Sequence, residues 1–166
     1  ILWHKGDAIA YISPNTPRAK YQNEKEDGVT SAVFTQVETD DNTPDGAGMP
    51  EIPYAVYPYS SKAYYVSNVN ALMVTFPTEQ TYAANSFGRD ASVMVAVGED
   101  SEDNDFYFRN ACGYLVIKLY GTGTNGNPTS IKSITLSSVS GVDKIAGSAV
   151  VVASNDAAPV ITMSDD

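Results

Sequence analysis

Cysteine and histidine each occur once in these 166 residues, and lysine and arginine together only ten times. A single cysteine, Cys112, allows no intrachain disulfide, so the fold is not held by a disulfide framework. It stands in Asn110-Ala111-Cys112-Gly113-Tyr114-Leu115-Val116-Ile117, a largely apolar run, and reads as a small buried hydrophobe. A catalytic thiol needs a base, and the one histidine, His4, lies at the start of the chain. One His and one Cys are too few ligands for a zinc site. No G-x-S-x-G elbow is present and nothing converges on His4 to complete a triad, so His4 reads as a surface residue. No enzyme and no cofactor is expected.

The scarcity of basic residues has its own consequences. Net charge is −10 and the ten cations are scattered, which argues against nucleic acid as a partner. It also disfavours docking on anionic membrane surfaces, and the acidity reads first as a device for solubility. No run of about 18 apolar residues exists, so no helical span is expected. The chain opens on Ile1 without a signal peptide, which reads as a processed or trimmed end. Good helix formers never gather into an amphipathic stretch.

What is abundant favours strands: 11 Tyr, 5 Phe and many Val, Ile and Thr. Alternating apolar and polar residues predict strands over residues 8–12, 30–37, 54–57, 64–66, 71–76 and 92–97, then 106–108, 114–120, 131–136, 145–153 and 159–163. Residues 114–120 form the strongest pattern, and with 131–136 across a Gly- and Asn-rich turn they read as a hairpin. Residues 15–28 are polar and read as loop or edge; 39–50 read as a turn-rich loop. Pro58 limits the 54–57 strand to an edge or a strand end, and residues 78–90 look irregular with at most one helical turn. About seven to eleven short strands with little helix predict an all-β fold, an antiparallel β-sandwich in one domain over 1–166. A chain of this length buries about 70% of its unfolded surface.

Three clusters carry candidate chemistry. Twenty carboxylates offer many acid pairs for glycoside hydrolysis, but they lie in polar loops where a raised pKa is hard to arrange. Residues 99–105 hold five carboxylates and an amide; Glu99, Asp100, Asp103 and Asp105 are candidate calcium ligands, but the EF-hand spacing is missing and a solvated acidic turn is the favoured reading. Asp40, Asp41, Asn42 and Asp45 repeat that composition more weakly. Finally Tyr54, Tyr57, Tyr59, Tyr64 and Tyr65 crowd into twelve residues. Of these, Tyr57, Tyr59, Tyr64 and Tyr65 are candidates for a glycan- or partner-binding surface, against the plainer reading that half line the core and half its rim.

Several short motifs then line up in order. Trp3-x-x-Gly6-Asp7-x-Ile9 resembles the W-x-x-G-D-x-I opening of the fimbrillin-like proteins of Bacteroidales, the type V pilus subunits. Tyr54-Ala55-Val56-Tyr57-Pro58, Phe76-Pro77-Thr78-Glu79-Gln80 and Phe108-Arg109-Asn110-Ala111-Cys112-Gly113-Tyr114-Leu115 resemble that family's later strands and turns, as do Ile131-x-Ser133-Ile134-x-Leu136 and Ile145-Ala146-Gly147. The resemblance implies transthyretin-like, Greek-key sandwiches, with this chain matching the N-terminal domain of a longer two-domain lipoprotein. It implies export, anchoring at the outer membrane, and assembly by β-strand exchange with other fimbrial subunits. The residues agree where Gly6 and Gly113 fall at expected bends and Trp3, Phe76 and Phe108 at core positions. The expectation is a structural or adhesive cell-surface subunit without chemistry; the alternative is a carbohydrate-binding surface module built on the exposed tyrosines.

Overall fold

The computed structural model describes residues 2–39, 47–84, 86–118, 120–121 and 130–164. The chain divides into two units, Gly113–Ile145 and the remainder. Eleven strands form among the described residues, all in the larger unit: β1 (Ala8–Ser13), β2 (Thr16–Gln22), β3 (Thr35–Thr39), β4 (Ala47–Gly48), β5 (Tyr54–Tyr57), β6 (Tyr64–Val66), β7 (Ala71–Phe76), β8 (Met94–Val97), β9 (Arg109–Asn110), β10 (Gly147–Val152) and β11 (Val160–Met163). A 3₁₀ turn at Arg89–Ala91 is the one helical element among them.

The strands build two sheets, in the orders β3-β2-β1-β5-β8-β9 and β11-β10-β7-β6-β4. Every pairing is antiparallel. The fold is an all-β sandwich. In the larger sheet β5 returns to lie beside β1 outside the β1-β2-β3 run, a Greek-key order.

The alternation in the sequence becomes the dry interior between the sheets. Ala10, Ile12, Tyr54, Val56, Val93 and Val95 from one sheet meet Tyr65, Leu72, Val74, Ala149 and Val151 from the other. Each of the larger side chains contributes about 1.5–3 kcal/mol by leaving water. Strands β5 and β8 are buried at every position. Their outward side chains, Ala55, Tyr57, Met94 and Ala96, are roofed by Trp3, Phe34 and Phe108. Burial on both faces is why residues 92–97 read as one continuous apolar run instead of alternating.

Expected and observed strands agree closely over residues 8–12, 54–57, 64–66, 71–76, 145–153 and 159–163. Elsewhere the structure corrects the expectation. Residues 16–22, expected as loop or edge, form β2, a strand between β3 and β1. The pattern was masked because Arg18 occupies a core-facing position. It is 1% exposed, and its Nη1 donates to the Ala63 carbonyl at 2.9 Å. The 30–37 strand forms only from Thr35 onward. Pro58 marks the end of β5, which lies inside the sheet between β1 and β8. Residues 106–108 form no strand; pairing begins at Arg109.

The largest difference lies in Gly113–Ile145. The described parts of 114–120 and 131–136, which carry the strongest strand patterns, form no ladder. Their turn, residues 122–129, lies outside the described residues. Alternation states which side chains want a common face; it does not supply the neighbouring backbone that a strand requires.

Candidate functional site

Three places concentrate polar chemistry or exposed apolar side chains. The first is the corner opened by Trp3-x-x-Gly6-Asp7. Gly6 takes φ +87°, a left-handed conformation that other residues adopt at a cost, and its amide donates to the Asn23 carbonyl at 2.7 Å. The turn delivers Asp7 into a buried position, 4% exposed. Asp7 Oδ2 accepts from the His4 amide at 2.6 Å. Asp7 Oδ1 accepts from Arg89 Nε at 2.6 Å and from the Tyr57 hydroxyl at 3.1 Å. Arg89 Nη2 reaches back to the Lys5 carbonyl at 2.9 Å. The hydrogen bond to Asp7 raises the Arg89 pKa, so this guanidinium stays charged. Trp3 closes the corner from the apolar side, edge-on to Phe34, Tyr57 and Phe108 with ring centroids 5.1–5.2 Å apart. Asn23, fully buried, holds the return chain through bonds to His4, Lys25 and Glu26.

Beside this corner lies a cleft of about 360 Å³, walled by Asp7, Lys20, Gln22, Tyr57, Tyr59 and Arg89. Sequence reasoning singled out Tyr57 and Tyr59 but missed Lys20, Gln22 and Arg89. Arg89 sits in an irregular stretch that carries no periodic signal, and Lys20 and Gln22 belong to the unrecognised strand β2.

The tyrosines do not gather on one surface. Tyr57 is buried in the outer aromatic cluster, whereas Tyr59 packs against the core between the sheets. Tyr54 and Tyr65 lie inside that core with centroids 5.5 Å apart, and both hydroxyls point to Asn70 Oδ1, at 3.3 and 2.6 Å. Burial pushes both phenol pKa values up, with Tyr65 adding to the shift on Tyr54 and Glu51 to that on Tyr65. Tyr64, half-buried, faces the other side of its sheet, opposite Met73.

The second place is the acidic loop between β8 and β9. Asp103 accepts from two backbone amides, Glu99 at 2.8 Å and Asp105 at 2.9 Å, and these bonds lower its pKa. Asp100 Oδ1 accepts from the Glu102 amide at 2.8 Å. The carboxylates of Asp100 and Asp103 thus fold their own loop. No group of three His, Cys, Asp or Glu side chains is disposed to hold a metal ion among the described residues. Asp40, Asp41, Asn42 and Asp45 lie outside the described residues. His4 Nδ1 lies 2.8 Å from Asp27 Oδ1 with both side chains in solvent. That hydrogen bond, followed by one from the Lys5 amide, lowers the Asp27 pKa. Cys112 is half-buried, its sulfur 3.9 Å from the carbonyls of Ala91 and Val93.

The third place is the unit Gly113–Ile145. Leu115 is 68% exposed and Val116 77%, and Tyr114, Ile117, Ile131, Ile134 and Leu136 are all exposed as well. Among the described residues the polar bonding of this unit is concentrated at 138–143, where Ser138 and Ser140 both donate to Asp143. The unit carries Lys118, Lys132 and Lys144 against Asp143, a net +2, which leaves −12 on the remainder of the chain. The apolar surface of one unit therefore coincides with its positive charge, in an otherwise acidic protein.

Comparison of the chain with protein-family models, with curated proteins and with solved structures finds no match. No helix among the described residues is long and apolar enough to cross a membrane.

Proposed function

We propose that the chain is a structural or adhesive subunit of a fimbria-like, cell-surface assembly, and that it joins its neighbours by β-strand exchange. One observation carries this reading. Residues 114–118 and 131–136 have strand sequence and exposed apolar side chains, and no ladder forms on them among the described residues. Contiguous exposed apolar surface of this kind marks a binding site for another macromolecule. Pairing with a neighbour's sheet edge satisfies the backbone and buries alternate side chains in one step.

The sandwich offers edges to receive such a strand. β9 pairs only with Met94 and Val95 of β8, leaving Ala96 and Val97 without a ladder partner on that side among the described residues. The acidic residues 99–105 follow directly. A donor with net charge +2 meeting a body of −12 associates faster than a neutral one and loses that advantage as salt rises. The motifs that resemble those of the fimbrillin-like family point the same way, and that resemblance implies export and retention at the outer membrane.

The test is association of the whole chain. Light scattering is expected to show concentration-dependent oligomers. Val116→Glu with Ile134→Glu, both at exposed positions, is expected to abolish them without lowering the melting temperature. A synthetic peptide spanning residues 113–121 is expected to stabilise the chain by about 2.7 kcal/mol when present at about 100 times its Kd. A chain that stays monomeric at every concentration and ignores the peptide sinks the proposal.

A further inference from the structure

The cleft beside Asp7 carries a second binding function, one that does not rest on strand exchange. Its walls come from three strands and the 3₁₀ turn. Gln22 lies opposite Ala8 in the ladder, and Lys20 lies opposite Ala10. Residues directly opposite in an antiparallel pair share a face, and so do residues two apart along a strand. Ala8, Lys20 and Gln22 therefore stand on the same face as Ala10, which belongs to the core between the sheets. Tyr59 closes this side, its amide bonded to the Ala8 carbonyl at 2.8 Å. Ala8 is small, and a small residue between long neighbours leaves the hollow.

The charges in the hollow are unequal. Asp7 is spent on Arg89, the Tyr57 hydroxyl and the His4 amide. Lys20 forms no salt bridge among the described residues; its Nζ lies 5.2 Å from the centroid of the Tyr59 ring. Arg89 engages Nε on Asp7 and Nη2 on the Lys5 carbonyl, and half of its side chain stays in solvent. The cleft presents as its charged side chains Lys20 and Arg89 against Asp7, a net +1 with Glu38 opposite Lys20 in the β2–β3 ladder, in a protein of net charge −10. It also presents the Gln22 side-chain amide, able to donate and accept, and the apolar ring of Tyr59.

We infer that the cleft binds a sugar acid, a hexuronate, with its carboxylate between Lys20 and Arg89 and its ring hydroxyls toward Gln22. A bare anion leaves most of about 360 Å³ empty, whereas a volume near the lower end of small-molecule sites suits one or two sugar rings. A neutral sugar leaves the ammonium of Lys20 uncompensated. The sugar acid supplies the carboxylate, the hydroxyls and an apolar ring edge together, and each has a counterpart in the wall.

The experiment titrates the isotope-labelled whole chain with glucuronate, with glucose and with inorganic phosphate, reading backbone amide resonances. Glucuronate is expected to shift Ala8, Lys20, Gln22 and Tyr59 saturably in the millimolar range, with glucose and phosphate leaving them in place. Lys20→Met keeps the side-chain stem and removes the charge. It is expected to weaken binding about tenfold, the loss of one charged hydrogen bond, with the rest of the spectrum unchanged. No saturable shift, equal shifts from phosphate or glucose, or an unaltered affinity in Lys20→Met each overturn the assignment. Because oligomers and amide shifts are read separately, failure here leaves the strand-exchange proposal standing, and the reverse also holds.

Discussion

Residues 93–97 and 114–118 are written in nearly the same alphabet, Val-Met-Val-Ala-Val and Tyr-Leu-Val-Ile-Lys, yet the structure treats them in opposite ways. The first is β8 and its approach, buried at every position, with β5 on one side and β9 on the other. The second forms no ladder and leaves its apolar side chains in water. Strand propensity is high in both, and the second carries the stronger pattern, so propensity does not decide the outcome. What differs is the supply of neighbours. β8 has backbone partners and a Trp3-Phe34-Phe108 roof, whereas residues 114–118 form no ladder among the described residues. A strand is a relation between segments, so the right letters alone do not make one.

Truncating one leucine in each region sharpens that contrast most strongly. Leu72, fully buried between the sheets, is expected to cost about 2–5 kcal/mol as Leu72→Ala, because transfer energy is lost and a cavity remains. Leu115→Ala, at a 68% exposed position, is expected to change folding stability by no more than about 0.5 kcal/mol. Urea unfolding measures both. If Leu115→Ala costs as much as Leu72→Ala, then Gly113–Ile145 is packed in solution and the comparison between the two regions collapses.

A smaller effect separates buried from exposed electrostatics. Asp7→Ala strips Arg89, the Tyr57 hydroxyl and the His4 amide of a shared acceptor, and orphaned buried partners cost about 1–3 kcal/mol. The cost stays below that of a fully buried ion pair because half of the Arg89 side chain is solvated. Asp27→Ala removes a carboxylate whose bond to His4 joins two exposed side chains, and it is expected to leave the urea midpoint in place. Equal midpoints for the two variants count against Asp7 as the tie between the chain's first turn and the Arg89 segment.

The sequence made much of this legible. Period-two patterning located the strand to within a residue or two over residues 71–76, where Leu72 and Val74 are dry and Met73 and Thr75 are half-exposed, and over 8–12, where both faces are packed. It failed at β2, where Arg18 and Pro17 disguise a strand as loop, since a buried arginine bonded to a carbonyl looks in the sequence like a solvated one. It failed in the other direction over 114–118 and 131–136, since patterning carries no information on whether a partner exists. The candidate site was half legible. Tyr57, Tyr59 and the Gly6-Asp7 turn stand out as letters, but Arg89 reaches Asp7 across 82 positions of chain, a distance no local pattern spans.

The smallest expected effect concerns the acidic loop, and here the sign can be worked out. Asp103 accepts hydrogen bonds from the amides of Glu99 and Asp105 when ionised, so its pKa in the folded protein lies below the ordinary carboxylate value. In the unfolded chain those bonds are gone and the proton binds more readily. The unfolded state therefore takes up more protons in this window, and the contribution to stability is present above the ordinary carboxylate pKa and lost as pH falls through the folded value. Between about pH 5 and pH 2 the Glu99 and Asp105 amide resonances are expected to titrate together, with one apparent pKa below the usual range. Asp103→Asn is expected to remove that shared titration while leaving the resonances of residues 93–97 unmoved. Titration at the ordinary value, or separately at the two amides, means that Asp103 does not organise the loop, and the five carboxylates between β8 and β9 then act only as diffuse negative charge beside the sheet edge.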